Sequence, residues 1–256
     1  MSYRFCSVER DGRILVVTLN RPAVLNSLHA AACFELDEIF DRFEADPELW
    51  IALLTGAGPK AFCAGHDLKS GPDEPMPTSG WAGLSDREVR RKPLIAAVNG
   101  LALGGGFEIV LACDIVIADE RATFAMSEPR VGAVALGGGV SRLMQRMPSA
   151  IAMGLLLTGR QIDATEAQRW GIVTEVARAG TVMDVARLWA DEILACAPLA
   201  VRITKELALE TLDDAHWCRR LREQRAAIVP ALFASEDTAE GIRAFIEKRK
   251  PAWKGR

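Results

Sequence analysis

At 256 residues, half of them hydrophobic, the chain is long enough for one large core or a core with a small appendage. Its 31 basic and 34 acidic residues leave a net charge of −3, which argues against a nucleic-acid partner. The six cysteines form no C-x-x-C pair and the three histidines are scattered, so neither a disulfide scaffold nor a metal centre is expected. The cysteines read as reduced core residues of a cytoplasmic protein. The apolar run at 14–19 is short and flanked by charge, unlike a signal peptide. The most apolar region, 94–118, is broken by glycines, Glu108 and Asp114, which argues against a membrane span.

In chain order, residues 5–9 and 14–20 flank Asp11-Gly12, a hairpin signal, and the second strand is apolar on both faces. Leu36, Ile39, Phe40 and Phe43 fall at i, i+3, i+4 and i+7 and predict a helix with one buried stripe, ended by Asp46-Pro47. Residues 50–55 predict a buried strand. Gly56-Ala57-Gly58-Pro59 and Ala64-Gly65-His66-Asp67 are turn chemistry. The stretch 70–83, punctuated by Gly71-Pro72, Pro75, Pro77 and Gly80, predicts a mobile loop, with Trp81 and Leu84 opening a short helix.

The stretch 92–130 organises the chain. Residues 94–98 predict a buried strand, Asn99-Gly100 a turn, and Gly104-Gly105-Gly106 stand directly before an apolar helix ending near Cys113. Glycines at a helix N-terminus let a ligand approach free backbone N–H groups. Glu108 lies at i+3 from Gly105, on the side of those amides. Residues 115–118 predict a second buried strand, and Glu128 follows in Met126-Ser127-Glu128-Pro129. Two carboxylates beside an amide-lined pocket make an acid/base set next to an anion hole. Plainer readings exist for each part: a glycine-rich turn is more often a phosphate loop, and a lone Glu108 could be a satisfied core carboxylate. However, Gly-Leu-Ala-Leu-Gly-Gly-Gly-Phe-Glu matches neither nucleotide-loop pattern.

Further on, residues 132–139 are small and lead to a helix at 140–146; their glycines suit either another helix N-terminus near the pocket or close backbone packing. Pro148 starts a helix through Leu157, and Asp163 caps one reaching Trp170. Helices follow at 182–196 and 198–212, the latter striped by Leu199, Ile203 and Leu207, and helices continue from Asp213. The tail sets Arg243, Lys248, Arg249, Lys250, Lys254 and Arg256 against Glu240 and Glu247. That is either a solvated face or a local positive field for a phosphorylated ligand.

With these residues in hand the chain resembles the enoyl-CoA hydratase, or crotonase, family. Besides the Gly-Gly-Gly…Glu108…Ser-Glu128-Pro order, the likeness rests on Asn20-Arg21-Pro22 with Leu25-Asn26-Ser27-Leu28, on Ala61-Phe62-Cys63-Ala64-Gly65-His66-Asp67-Leu68-Lys69, and on Gly137-Gly138-Gly139 before Arg142-Leu143. It continues through Leu157-Thr158-Gly159-Arg160 and Arg169-Trp170-Gly171-Ile172-Val173 to Pro251-Ala252-Trp253-Lys254-Gly255-Arg256. The last two segments look most like the carnitinyl-CoA dehydratase branch.

The resemblance implies an α/β fold, a crotonase-like spiral of ββα units (1–197) carrying the CoA-ester site, with a C-terminal helical trimerisation region (198–256). It implies a hydro-lyase adding water across the double bond of an enoyl-CoA, with crotonobetainyl-CoA as a possible substrate. Glu108 would activate the water and Glu128 would exchange the proton at the α-carbon. The backbone N–H groups of His66 and Gly105 would form the anion hole, leaving the His66 imidazole as a pocket-lining or surface group. Val24, Leu25, Ala64, Asp67, Leu68 and Lys69 join His66 and Gly105 as substrate-binding positions. No cofactor is implied beyond the coenzyme A of the substrate, and a homotrimer or a hexamer is implied. A double-bond isomerase is the alternative on this fold, disfavoured by the presence of both glutamates; an RNA-binding or scaffold module is disfavoured further by net charge.

Overall fold

A computed structural model describes residues 3–71, 74–212, 230, 234 and 236–252. The helical reading at 213–229, Cys218 and the tail at 253–256 lie outside the described residues.

Strand β1 (Cys6–Asp11) turns at Gly12 and pairs antiparallel with β2 (Ile14–Leu19). Three further strands, β3 (Ile51–Gly56), β5 (Leu94–Val98) and β7 (Ile115–Asp119), join in parallel, and β10 (Glu175–Ala177) closes the edge. Alternate β2 residues face two separate cores: Leu15, Val17 and Leu19 one, Ile14 and Val16 the other. That two-sided burial explains the continuous apolar run. Helix α1 (Ala30–Ala45) lays Leu36, Ile39, Phe40 and Phe43 into the first core, as its periodicity predicts.

A second, four-stranded sheet holds β4 (Ala61–Cys63), β6 (Leu101–Leu103), β8 (Thr123–Ala125) and β9 (Ile162–Asp163). None of these strands was predicted, because two or three residues are too few to display a period. Consecutive strands therefore alternate between the sheets: β3 then β4, β5 then β6, β7 then β8. This alternation is the spiral of ββα units. Its effect is to carry the chain from the end of β5, through β6, straight into helix α2 (Gly105–Ala112).

Helices α3 (Gly139–Arg146), α4 (Ser149–Thr158) and α5 (Ala164–Arg169) follow, the last capped by Asp163, whose carboxylate accepts from the Glu166 amide. On the other face, α6 (Val182–Leu194) packs Val182, Ala186 and Ala190 on Ile95, Ala97 and Ile117. Helix α7 (Pro198–Leu212) has the bounds that the sequence predicts. Its stripe is not buried in this chain: Leu199, Ile203 and Leu207 are 60%, 46% and 58% exposed. The helix is tied instead by Lys205, which donates to Asp114 and to the Lys92 carbonyl, both at 2.7 Å. In α8 (Glu236–Ile246), Glu240 accepts from Arg243 and from Arg249, so two of the basic tail residues are already partnered.

Among the described residues no helix is long and apolar enough to cross a membrane, and no group of His, Cys, Asp or Glu could hold a metal ion. Cys6, Cys33, Cys63 and Cys113 are buried free thiols and Cys196 is exposed.

Candidate active site

The site forms where α2 begins. Gly104 occupies φ 53, ψ −124, a region closed to side chains, and its N–H donates to the Ala125 carbonyl at 2.8 Å. This single bend aims the first turn of α2 at the segment after β4. There Gly65 passes so close that a methyl on it would lie 2.7 Å from the Leu103 carbonyl and 3.0 Å from the Gly105 nitrogen. His66 and Gly105 are thereby brought together. Among the described residues neither of their amides has a hydrogen-bond acceptor. Helix geometry leaves the first amides of any α-helix unsatisfied, but His66 belongs to no helix.

The expected substrate-binding positions converge on one wall. Pro22–Val24 is a 3-10 turn followed by Leu25 and Asn26 at positive φ. The side chain of Asn26, almost wholly buried, accepts from the Arg21 amide and donates to the Ala57 and Ala61 carbonyls. That locks the turn against β4. Ala64 then donates to the Leu25 carbonyl, Leu28 to Gly65, and Asp67 to Leu28, at 3.0, 2.8 and 2.7 Å. Arg21 pairs with Asp67 at 2.9 Å, while the Lys69 amide donates to the Asp67 carboxylate; Val24 stands exposed at the rim and Leu68 between.

Glu108 is buried one turn into α2. Its Oε1 accepts from the Gly139 amide at 2.9 Å, the first residue of α3. A methyl on Gly137 would lie 2.5 Å from its Oε2. Both readings of the 132–139 glycines therefore hold: a helix N-terminus serves the site, and it does so by close approach. Glu128 opens a 3-10 turn (Glu128–Val131). Its Oε2 is buried with no hydrogen-bond partner, and its Oε1 faces Gly104, 3.1 Å from where a methyl there would sit. Burial, reinforced by the neighbouring Glu108 charge and opposed by its own backbone amide, pushes the Glu128 carboxyl up to about 8. Two carboxyls sharing one small volume titrate as a pair and divide a proton between them.

Two residues named in the sequence without a role at the site complete the frame. Arg142 is buried; Nη1 donates to the Gly137 carbonyl at 3.0 Å and Nη2 to the Ser85 carbonyl at 2.7 Å. Burial pulls its guanidinium down to about 10, still charged near neutrality. It thus straps the turn that cradles Glu108 to the turn that follows Trp81. Trp81, expected to open a short helix after the loop, lies against α2 with its Nε1 2.9 Å from the Gly105 carbonyl. The His66 ring stands 5.6 Å from the indole, and burial lowers the imidazole pKa, keeping it neutral.

Residues 9–256 match the family described as enoyl-CoA hydratase/isomerase. A carnitinyl-CoA dehydratase of Proteus mirabilis (strain HI4320) is 44% identical over 252 residues, covering 96% of each chain. The Escherichia coli (strain K12) carnitinyl-CoA dehydratase is 43% identical over 256 residues, 96% of this chain and 97% of that one. A carnitinyl-CoA hydratase from Mycobacterium avium superposes over 100% of both chains with a TM-score of 0.90 at 39% identity.

Proposed function

The chain belongs to the enoyl-CoA hydratase/isomerase family, and from that premise we propose that it is a hydro-lyase adding water reversibly across the α,β double bond of an enoyl-CoA thioester. The observation that carries this reading is the buried Glu108–Glu128 pair, one member protonated, beside the two unpartnered amides of His66 and Gly105.

The thioester oxygen sits against those amides. As water bonds to the β-carbon, the π electrons move to the α-carbon and charge gathers on that oxygen, where one preformed donor is worth about 2.7–4 kcal/mol. Glu108, held in place by the Gly139 N–H, takes the water proton. Glu128 is the acid, and its raised pKa suits it to deliver a proton to the α-carbon. Dehydration runs these steps backwards. Both glutamates take part, which favours hydration over double-bond migration. No step calls for a cofactor; coenzyme A enters as part of the substrate.

Val24, Leu25, Ala64, Asp67, Leu68 and Lys69 form the wall along which the coenzyme lies, with Lys248 and Lys250, which make no ion pair among the described residues, as tail cations for its phosphates. The acyl group is a crotonobetaine-type chain. The dehydratase names of relatives at 43–44% identity support this, as does the uncharged Trp81–His66 aromatic pair, which repels no quaternary ammonium. The exposed Leu199, Ile203 and Leu207 stripe supports a division at 197/198 into a catalytic core and a helical region that assembles homotrimers or hexamers. Buried free thiols fit a cytoplasmic setting.

Loss of absorbance at the enoyl-thioester band, followed with crotonyl-CoA and crotonobetainyl-CoA, tests both levels. Hydration of neither ends the hydratase reading. A clear preference for crotonyl-CoA removes the betaine reading alone.

A further inference from the structure

The turn that carries Trp81 is built more rigidly than its glycine content suggests. Gly80, Ala82 and Gly83 all have positive φ, and Ala82, fully buried at φ 55, holds a conformation that a side chain disfavours. What over-determines it is α1. Ser79 Oγ donates to Asp37 at 2.5 Å, and Arg87 donates to the Asp37 carboxylate at 2.6 Å and to its carbonyl at 3.0 Å. Gly83 lies so close that a methyl there would come within 2.6 Å of the Asp37 backbone. The Trp81 amide is held in turn by Ser85 Oγ at 2.8 Å.

The indole on this platform reaches both residues of the anion hole. Its N–H meets the Gly105 carbonyl, its ring atoms occupy the space a Gly105 side chain would need, and its face lies near the His66 imidazole. Gly105 has no side chain of its own to fix it. His66 is held from the other side by Leu28, which bonds Gly65 and Asp67 on either side of it. One rigid group borders both residues whose amides must converge on one oxygen.

We propose that Trp81 is a positioning residue for the anion hole, its indole N–H and ring fixing the Gly105 backbone so that its amide converges with that of His66 on the thioester oxygen. This rests on the anion-hole reading above. Removing the N–H should leave binding of the coenzyme portion intact while the amides lose their alignment.

The test uses Trp81→Phe together with site-specific replacement of the Trp81 indole by benzothiophene, which keeps shape and exchanges N–H for sulfur, so that packing loss is separated from donor loss. The probe is butyryl-CoA carrying carbon-13 at the thioester carbonyl, which has no double bond to hydrate. Infrared difference spectra read the downward shift of its carbonyl stretch on binding. In both proteins the shift should shrink by about half or more and kcat should fall by about tenfold, a fraction of a full donor deletion. The dissociation constant for butyryl-CoA should change by less than about threefold, as for an interaction strengthened only in the transition state. A wild-type shift retained in full by the benzothiophene protein overturns the proposal. No shift in the wild type overturns the anion-hole reading itself, and the proposal falls with it.

Discussion

Gly139 donates its amide to Glu108 Oε1 at 2.9 Å, joining the start of α3 to a carboxylate on α2. The bond fixes one oxygen of Glu108 against the first turn of α3. The pair is asymmetric: Glu108 Oε1 accepts a backbone N–H, whereas Glu128 Oε2 is buried with no hydrogen-bond partner among the described residues.

Glu108→Gln and Glu128→Gln should each lower kcat by about 10²–10⁴-fold with little change in CoA-ester affinity. The double variant should be little worse than either single one, since groups that act as a unit are non-additive. Exchange of solvent deuterium into the α-carbon should collapse in Glu128→Gln. Near-normal hydration by either single variant would sink the two-carboxylate mechanism.

The pH dependence has a definite sign. The Glu128 pKa is raised from 4.5 to about 8 on folding, so its contribution to stability is full below 4.5 and is lost as pH rises through about 8. Melting temperatures of wild type should therefore fall more between pH 5 and pH 8 than those of Glu128→Gln, which cannot ionise. Hydration by wild type should likewise fall off above pH about 8. In Glu108→Gln the like charge is gone, so the protonated-carboxyl infrared band of Glu128 should disappear at lower pH than in wild type.

Gly105 is helical, so alanine there meets no backbone penalty; its methyl would instead lie 2.7 Å from Trp81 Nε1. Gly105→Ala should cost about 1–3 kcal/mol by overpacking, read from denaturant midpoints, with loss of turnover. The same substitution in a Trp81→Ala background should cost much less. His66→Ala, which keeps the amide, should retain most activity; a large loss with the fold intact would give the imidazole a chemical role.

Replacing Leu199, Ile203 and Leu207 by lysine should leave the secondary structure unchanged and lower the mass seen in sedimentation. An exposed apolar stripe gains stability only when something covers it. Unchanged mass would show that these residues cover no interface.

The parts of the fold that were legible in sequence are those with long or strongly marked patterns. The strand over 94–98 and the α1 stripe were read directly, and the Gly-Gly-Gly to Glu108 spacing placed a carboxylate beside free amides. The second sheet was illegible because β6 and β8, at three residues each, are defined by partners rather than by period. The α7 stripe announced an apolar face but could not say whether the chain itself covers it. Tertiary contacts across the site were equally silent: Trp81 meets Gly105 from 24 positions away, and Gly139 meets Glu108 from 31. Arg249 looked like part of a cationic field until Glu240 took it.

Arg142 holds the carbonyls of Ser85 and Gly137 with one guanidinium, so the turn after Trp81 and the cradle of Glu108 share a fastener. Redesign of substrate range by grafting a foreign segment over 79–87 is therefore not a local operation. A graft that displaces the residue 85 carbonyl frees one arm of Arg142, slackens Gly137–Gly139 and moves Glu108. Grafts should be chosen by the position of that one carbonyl before the side chains they bring.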